Sequence, residues 1–328
     1  MIVFAVGDMI AAGASVKIGI KLGEKKEEEA SNIFSIALLL MFIIDSIFMI
    51  LSLVFAKDII FILIKDKELA TLSYRFAYVF ILALPIIAPF FALDNYLRLC
   101  GKANMSMWIN IAVSILNIIL DAILIGYFKL GIEYAALCSA LSMFIGTLIF
   151  LYPFIMKKVT LRFTKPKVDV KEILYIIYNG SSEFLSNISN SIMAIITNGF
   201  LLYYGGPVGV AAFSIVMYID ALISPILFGM IDSILPVISY NYGAKDYKRI
   251  TQFFKITCIV GFTISILTMI IIFIFPDFLV GLFSSKSDVD IIYMGKIALL
   301  LSAPSYLFKW FTMTVGSFLT GLEKATES

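Results

Sequence analysis

The sequence contains no histidine in its 328 residues. That removes at once the commonest general base, the commonest metal ligand and the usual switch at physiological pH. Charge is also scarce: 15% of residues are Asp, Glu, Lys or Arg, against about a quarter in soluble domains. The three cysteines, Cys100, Cys138 and Cys258, stand far apart and form no C-x-x-C pair. They read as free thiols, with no disulfide framework and no metal site. No basic stretch precedes the first apolar run, "MIVFAVGDMIAAGASVKIG", and Asp8 interrupts it. A cleaved signal peptide is therefore not expected. The net charge of +2 is spread over short loops, which excludes a nucleic-acid patch, and no cofactor motif is found.

What is present is apolar. Hydrophobic residues make up 61% of the chain, and its mean hydropathy is +1.01. Runs of about 20 apolar residues, enough to cross a bilayer as a helix, recur at 2–20, 33–55, 69–97, 105–128, 132–156, 173–203, 210–240, 253–275 and 291–319. Barrel strands would be half as long and would alternate. The expected fold class is an all-α polytopic membrane protein.

Lys and Arg orient it. Seventeen fall in or at the edges of the loops after the first, third, fifth and seventh spans and in the tail, and five, including Lys57, Lys129 and Lys286, fall in the alternate loops. The richer set is cytoplasmic by the positive-inside rule, so Met1 is expected outside and Ser328 inside. The segment "KIGIKLGEKKEE" at 17–28 is echoed by "VISYNYGAKDYK" at 237–248, and "FAKDIIFILI" at 55–64 by "FPDFLVGLF" at 275–283, both at an offset of 220. Two lobes repeated in parallel are expected. Carried through, the repeat predicts six helices per lobe, nine of the twelve lying in this chain. The expected divisions are a first lobe at 1–157, a cytoplasmic linker at 158–172 and a second lobe at 173–328.

The segments "GDMIAAGASVKIGIKLGEKKEEEASNIF" (7–34), "NIILDAILI" (117–125), "NGSSEFLSNIS" (179–189) and "GMIDSILPVISYNYGAKDYKRI" (229–250) resemble the multidrug and toxic compound extrusion (MATE) family, in its bacterial multidrug-efflux branch. The resemblance runs along the whole chain and is strongest at Pro236–Ala244. It implies an antiporter of the plasma membrane, not an enzyme, that exports amphipathic or cationic small molecules in exchange for H+ or Na+ as a monomer. It also aligns the two lobes with helices two to six and seven to ten. In such relatives coupling acids often lie in the first or tenth helix, whereas 291–319 carries Lys296 and Lys309 and no acid. A flippase for lipid-linked saccharides shares the wider superfamily, but it should present several basic residues to a pyrophosphate.

Seven carboxylates fall inside spans: Asp8, Asp45, Asp94, Asp121, Glu183, Asp220 and Asp232. Each would cost about 2.5–3.5 kcal/mol at the centre of a lipid-facing helix, so most should face a cavity or a partner. Glu183, Asn187 and Asn190 share a narrow arc at helical spacing, and so do Asn110, Ser114, Asn117 and Asp121. The candidate substrate- or ion-binding residues are Glu183, Asn187, Asn190, Asp220, Asn117, Asp121 and Asp8, with no metal site. Glu183 is expected to line a cavity between the lobes and to hold a proton near neutral pH. Asp94 and Arg98, four residues apart, should form a structural ion pair. Asp45 sits centrally without a polar stripe along its helix, and no role follows from its spacing. The turns at Gly23–Lys25 and Gly243–Lys245 lack Walker spacing and read as helix ends closed by glycine.

Overall fold

A computed structural model describes residues 2–284, 289–324 and 327, and among these every regular element is helical. Met1, Lys286 and Ser328, named above in the expected orientation, lie outside the described residues. The chain divides into two compact units, Met1–Phe184 and Leu185–Ser328. Seven helical stretches among the described residues are long and apolar enough to cross a membrane.

Unit 1 contains α1 (Ile2–Gly23), α2 (Glu27–Leu63), α3 (Lys67–Ile87), α4 (Pro89–Leu99), α5 (Ala103–Asp121), a π-helical turn (Ala122–Tyr127), α6 (Ile132–Ile155) and the start of α7 (Val170–Gly243). Unit 2 contains the rest of α7, then α8 (Tyr247–Ile274), α9 (Pro276–Gly281), α10 (Val289–Ser302), a 3-10 turn (Ala303–Ser305) and α11 (Tyr306–Gly321). The spans expected at 173–203 and 210–240 are joined in α7. Its 74 residues, at about 1.5 Å each, far exceed one bilayer crossing. The helix breaks at Gly206, whose φ of 58° and ψ of −161° suit only glycine, and Pro207 restarts it. Proline also sets the other interruptions. Pro89 opens α4, Pro276 opens α9, and Pro304 lies in the turn between α10 and α11, since a ring without an N–H breaks the helical ladder.

The core of unit 1 is aromatic. Phe34 of α2 stacks on Phe154 of α6 with centroids 4.9 Å apart and meets Tyr96 of α4 edge-on at 5.6 Å. All three are fully or almost fully buried. The segment expected as a cytoplasmic linker is pinned to α2. Arg162 N donates to Ser31 Oγ (3.2 Å), Thr164 N to Ser35 Oγ (3.0 Å) and Lys167 N to Asn32 Oδ1 (2.8 Å). Unit 2 packs Ile215 and Ile219 of α7 against Val280, Leu299 and Tyr306. Large apolar side chains are widely exposed, Ile62 at 79% and Tyr203 at 81% among them, a surface that water would not tolerate and lipid does.

The internal repeat reappears in the backbone. After α1, Lys25 N donates to Leu22 O (3.0 Å) and Lys26 N to Lys21 O (2.9 Å); after α7, Lys245 N donates to Tyr242 O (3.0 Å) and Asp246 N to Asn241 O (2.9 Å). Gly23 and Gly243 do end these helices, but the left-handed residue is the lysine two places on, with φ of 62° at Lys25 and 58° at Lys245. The closing hydrogen bonds offset a left-handed cost of about 1–2 kcal/mol. The three cysteines are free thiols, and burial pushes that of Cys100, beyond the end of α4, up to about 11.

Unit 1 is also held by backbone-to-backbone contact between α1 and the first turns of α7. A methyl group added to Gly180 would lie 1.8 Å from Met9 O, and one added to Gly13 would lie 2.0 Å from Ile176 O. Gly180→Ala should therefore lower stability by about 1–3 kcal/mol or more, read as a fall in melting temperature of the purified protein in detergent. Gly199→Ala on the same helix, where the methyl meets nothing within 4 Å, should leave it unchanged or slightly raised. Equal behaviour of the two variants would show that the crossing is not close-packed.

Candidate functional site

Polar clusters interrupt the apolar helices in both units. In unit 1, α5 carries Asn117 and, one turn later, Asp121, where the helix widens into the π-helical turn. Such single-turn widenings recur at functional sites because they leave backbone groups out of the regular ladder. Asn117 Nδ2 donates to Ser139 Oγ of α6 at 3.3 Å. One carboxylate oxygen of Asp121 is buried without a hydrogen-bond partner among the described residues, and the buried thiol of Cys138 lies beside the carboxylate. An acid oxygen left this way costs about 1–3 kcal/mol or more, a deficit that a proton or a small cation would remove.

The arc expected on α5 divides. Asn110 does not join Asp121; its amide donates to Asp94 Oδ1 at 3.0 Å. Asp94 also takes the Arg98 guanidinium and the Ser106 hydroxyl, so the expected ion pair forms within a larger buried knot. Ser114 is exposed.

In unit 2, Asp220 and Ser224 lie one turn apart on α7, beside Pro225. The 3-10 turn at Ala303–Ser305 starts α11 so that Tyr306 and Lys309 reach them. Lys309 Nζ lies 2.7 Å and 3.0 Å from the two oxygens of Asp220 and 2.6 Å from Ser224 Oγ. Tyr306 Oη donates to Asp220 Oδ1 at 3.0 Å, and Ser224 Oγ donates to Oδ2 at 2.8 Å. Lys309 is the partner of Asp220 that sequence reasoning missed. The available signal was charge alone, since an Asp and a Lys both inside apolar helices have every reason to meet.

The remaining candidates stand apart from these clusters. Glu183 and Asn190 are exposed, and Asn187 is partly buried with its amide nitrogen inaccessible. All three follow one another along α7, with Glu183 near the end of unit 1 and the two asparagines in unit 2. Asp8 is partly buried on α1, next to Gly7.

A family model, MatE, matches residues 1–123 and 184–327. The multidrug export protein MepA of Staphylococcus saprophyticus is 28% identical over 332 residues, covering 99% of this chain and 71% of the relative. MepA of Staphylococcus aureus is 28% identical over 330 residues at the same coverage. Among solved structures, a MOP superfamily transporter from Pyrococcus furiosus superimposes with a TM-score of 0.94 at 24% identity, over 100% of this chain and 73% of that one. An outward-facing multidrug resistance MATE family transporter gives the same values. At that identity these structures speak for the fold alone.

Half-buried as it is, the Asp220–Lys309 pair sets a stability test. Lys309→Met leaves a carboxylate without its counter-charge and should cost about 1–3 kcal/mol, less than a fully buried pair because water screens part of it. Adding Asp220→Asn should restore most of the loss in thermal melts of the purified protein. Additive losses in the double variant would mean that the two residues do not depend on each other.

Proposed function

The chain belongs to the MatE family of multi-pass membrane transporters, which are not enzymes, and from that premise we propose that it exports amphipathic or cationic small molecules across the plasma membrane in exchange for H+ or Na+. Its similarity to two MepA multidrug export proteins supports a drug-like substrate. In this reading the protein works as a monomer, with the basic loops and the C-terminus on the cytoplasmic side.

The observation that carries the reading is the unsatisfied oxygen of Asp121 between two largely apolar helices. The coupling ion sits there, with Asn117 and Ser139 supplying further polar atoms. Glu183, Asn187 and Asn190 form the polar stripe that meets a cationic substrate. Exchange requires that ion and substrate oppose each other's binding, and the coupling is reciprocal. A lipid-linked saccharide fits less well, because the one lysine in the unit 2 cluster is already committed to Asp220.

The test is export in reconstituted vesicles, with a fluorescent organic cation as substrate and an imposed pH or sodium gradient. Asp121→Asn keeps the shape and removes the charge. It should lower ion-driven exchange by roughly 5–150-fold, the range that corresponds to about 1–3 kcal/mol of coupling. Glu183→Gln should weaken exchange of cationic substrates while sparing neutral ones. Full exchange by Asp121→Asn under both gradients would remove that residue from the coupling.

A further inference from the structure

Asp45 stands in the middle of α2, fully buried, and neither carboxylate oxygen has a hydrogen-bond partner among the described residues. Its surroundings are defined by three elements. A methyl group added to Gly7 of α1 would lie 3.5 Å from Oδ1 and 3.8 Å from Oδ2 of Asp45, and 3.9 Å from Cβ of Ala88. Ala88 is the residue between α3 and α4, where Pro89 interrupts the helix. The carboxyl thus lies within a methyl's contact distance of the backbone at Gly7, at the point where α1, α2 and a proline break converge.

Among the described residues no counter-charge reaches it. The charged neighbour that acts on Asp45 is Asp8 of α1, which carries the same sign. On α3 and α4, Arg98 is bound to Asp94 and Arg75 reaches only Glu133, at 4.0 Å. Taking an isolated carboxylate out of water is so unfavourable that such a group neutralises instead. Arginine, lysine or a hydrogen-bond network could do that, and none is in place. A metal cation would need several oxygens around it, and beyond the neighbouring carboxylate of Asp8 the residues that touch the site, Gly7 and Ala88, offer no side-chain oxygen. A proton needs only one.

We propose that Asp45 is a proton-binding site of unit 1, its carboxyl holding one proton in the conformation described and releasing it when α1 and α2 part at Gly7 and water enters. The site differs from the Asp121 cluster in having no polar side chain arranged to stabilise the ionised form, so its proton is lost only with a change in helix packing. Its role rests on the export reading: a proton released as the helices separate is a second coupling proton in addition to any carried at Asp121. Gly7 is the positioning residue, since a side chain larger than a methyl there would compete with the carboxyl for space.

Infrared difference spectroscopy of the purified full chain in lipid tests this without requiring transport. At pH 7 the wild-type protein should show the carbonyl stretch of a protonated carboxyl, although an exposed aspartate, with an ordinary value of about 3.9, is ionised there. Asp45→Asn should remove one carboxyl's worth of that band, and Asp58→Asn, at an exposed position of the same helix, should remove none. If Asp45→Asn does not fold, Asp45→Glu serves in its place and should shift the band in frequency. A flat difference between wild type and the Asp45 variant overturns the proposal. Transport without the band overturns it alone, and the band without transport supports it while rejecting the export reading.

Discussion

Taking a carboxyl out of water inside a bundle of apolar helices costs about 2.5–3.5 kcal/mol even on permissive insertion scales, and four acids of this chain meet that cost in different ways. Asp94 is enclosed by Arg98, Ser106 and Asn110. Asp220 is enclosed by Lys309, Tyr306 and Ser224. Asp121 keeps one buried oxygen unmatched, and Asp45 keeps both. The first two are complete without any ligand and stiffen the fold. The last two are incomplete, and a site built to take up and release an ion has to be incomplete in one of its states.

The helices are arranged so that these differences persist. Proline breaks at Pro89 and Pro304 turn the chain beside Asp45 and into Asp220 respectively, and the π-helical turn follows directly on Asp121. Irregular backbone is expensive in hydrocarbon because freed N–H and C=O groups have no water to bond. Its coincidence with each acid is therefore more informative than the acid alone. The matching turns after α1 and α7, with lysine in the left-handed position of both, carry the duplication into both units. The polar clusters do not repeat in the same way, so the two units hold different chemistry on related frames.

Much of this was legible in the residues. Apolar run length gave the spans, because the bilayer sets that length directly, and the four-residue spacing of Asp94 and Arg98 announced their pairing. The Asp220–Lys309 pair joins residues 89 positions apart, and no local pattern reports such a contact. Asp121 could be singled out by its helical spacing from Asn117, but Ser139 belongs to the facing helix and gave no signal. Asp45 was conspicuous only as an acid without a polar stripe along its own helix. That isolation, uninformative in one dimension, became the central fact once α1 and the α3–α4 break were seen to close around it. The separate spans at 173–203 and 210–240 were legible too, since Gly206 and Pro207 mark the break between two helices.

The central claim is exchange: an organic cation crosses one way only as an ion crosses the other. It is tested most directly in sealed vesicles holding the purified chain, with no ion gradient at the start and indicators for pH and sodium in the lumen. On adding a cationic substrate outside, the account predicts that the lumen loses protons or sodium in fixed proportion to substrate taken up. Uptake of substrate to equilibrium with both indicators unchanged would contradict it.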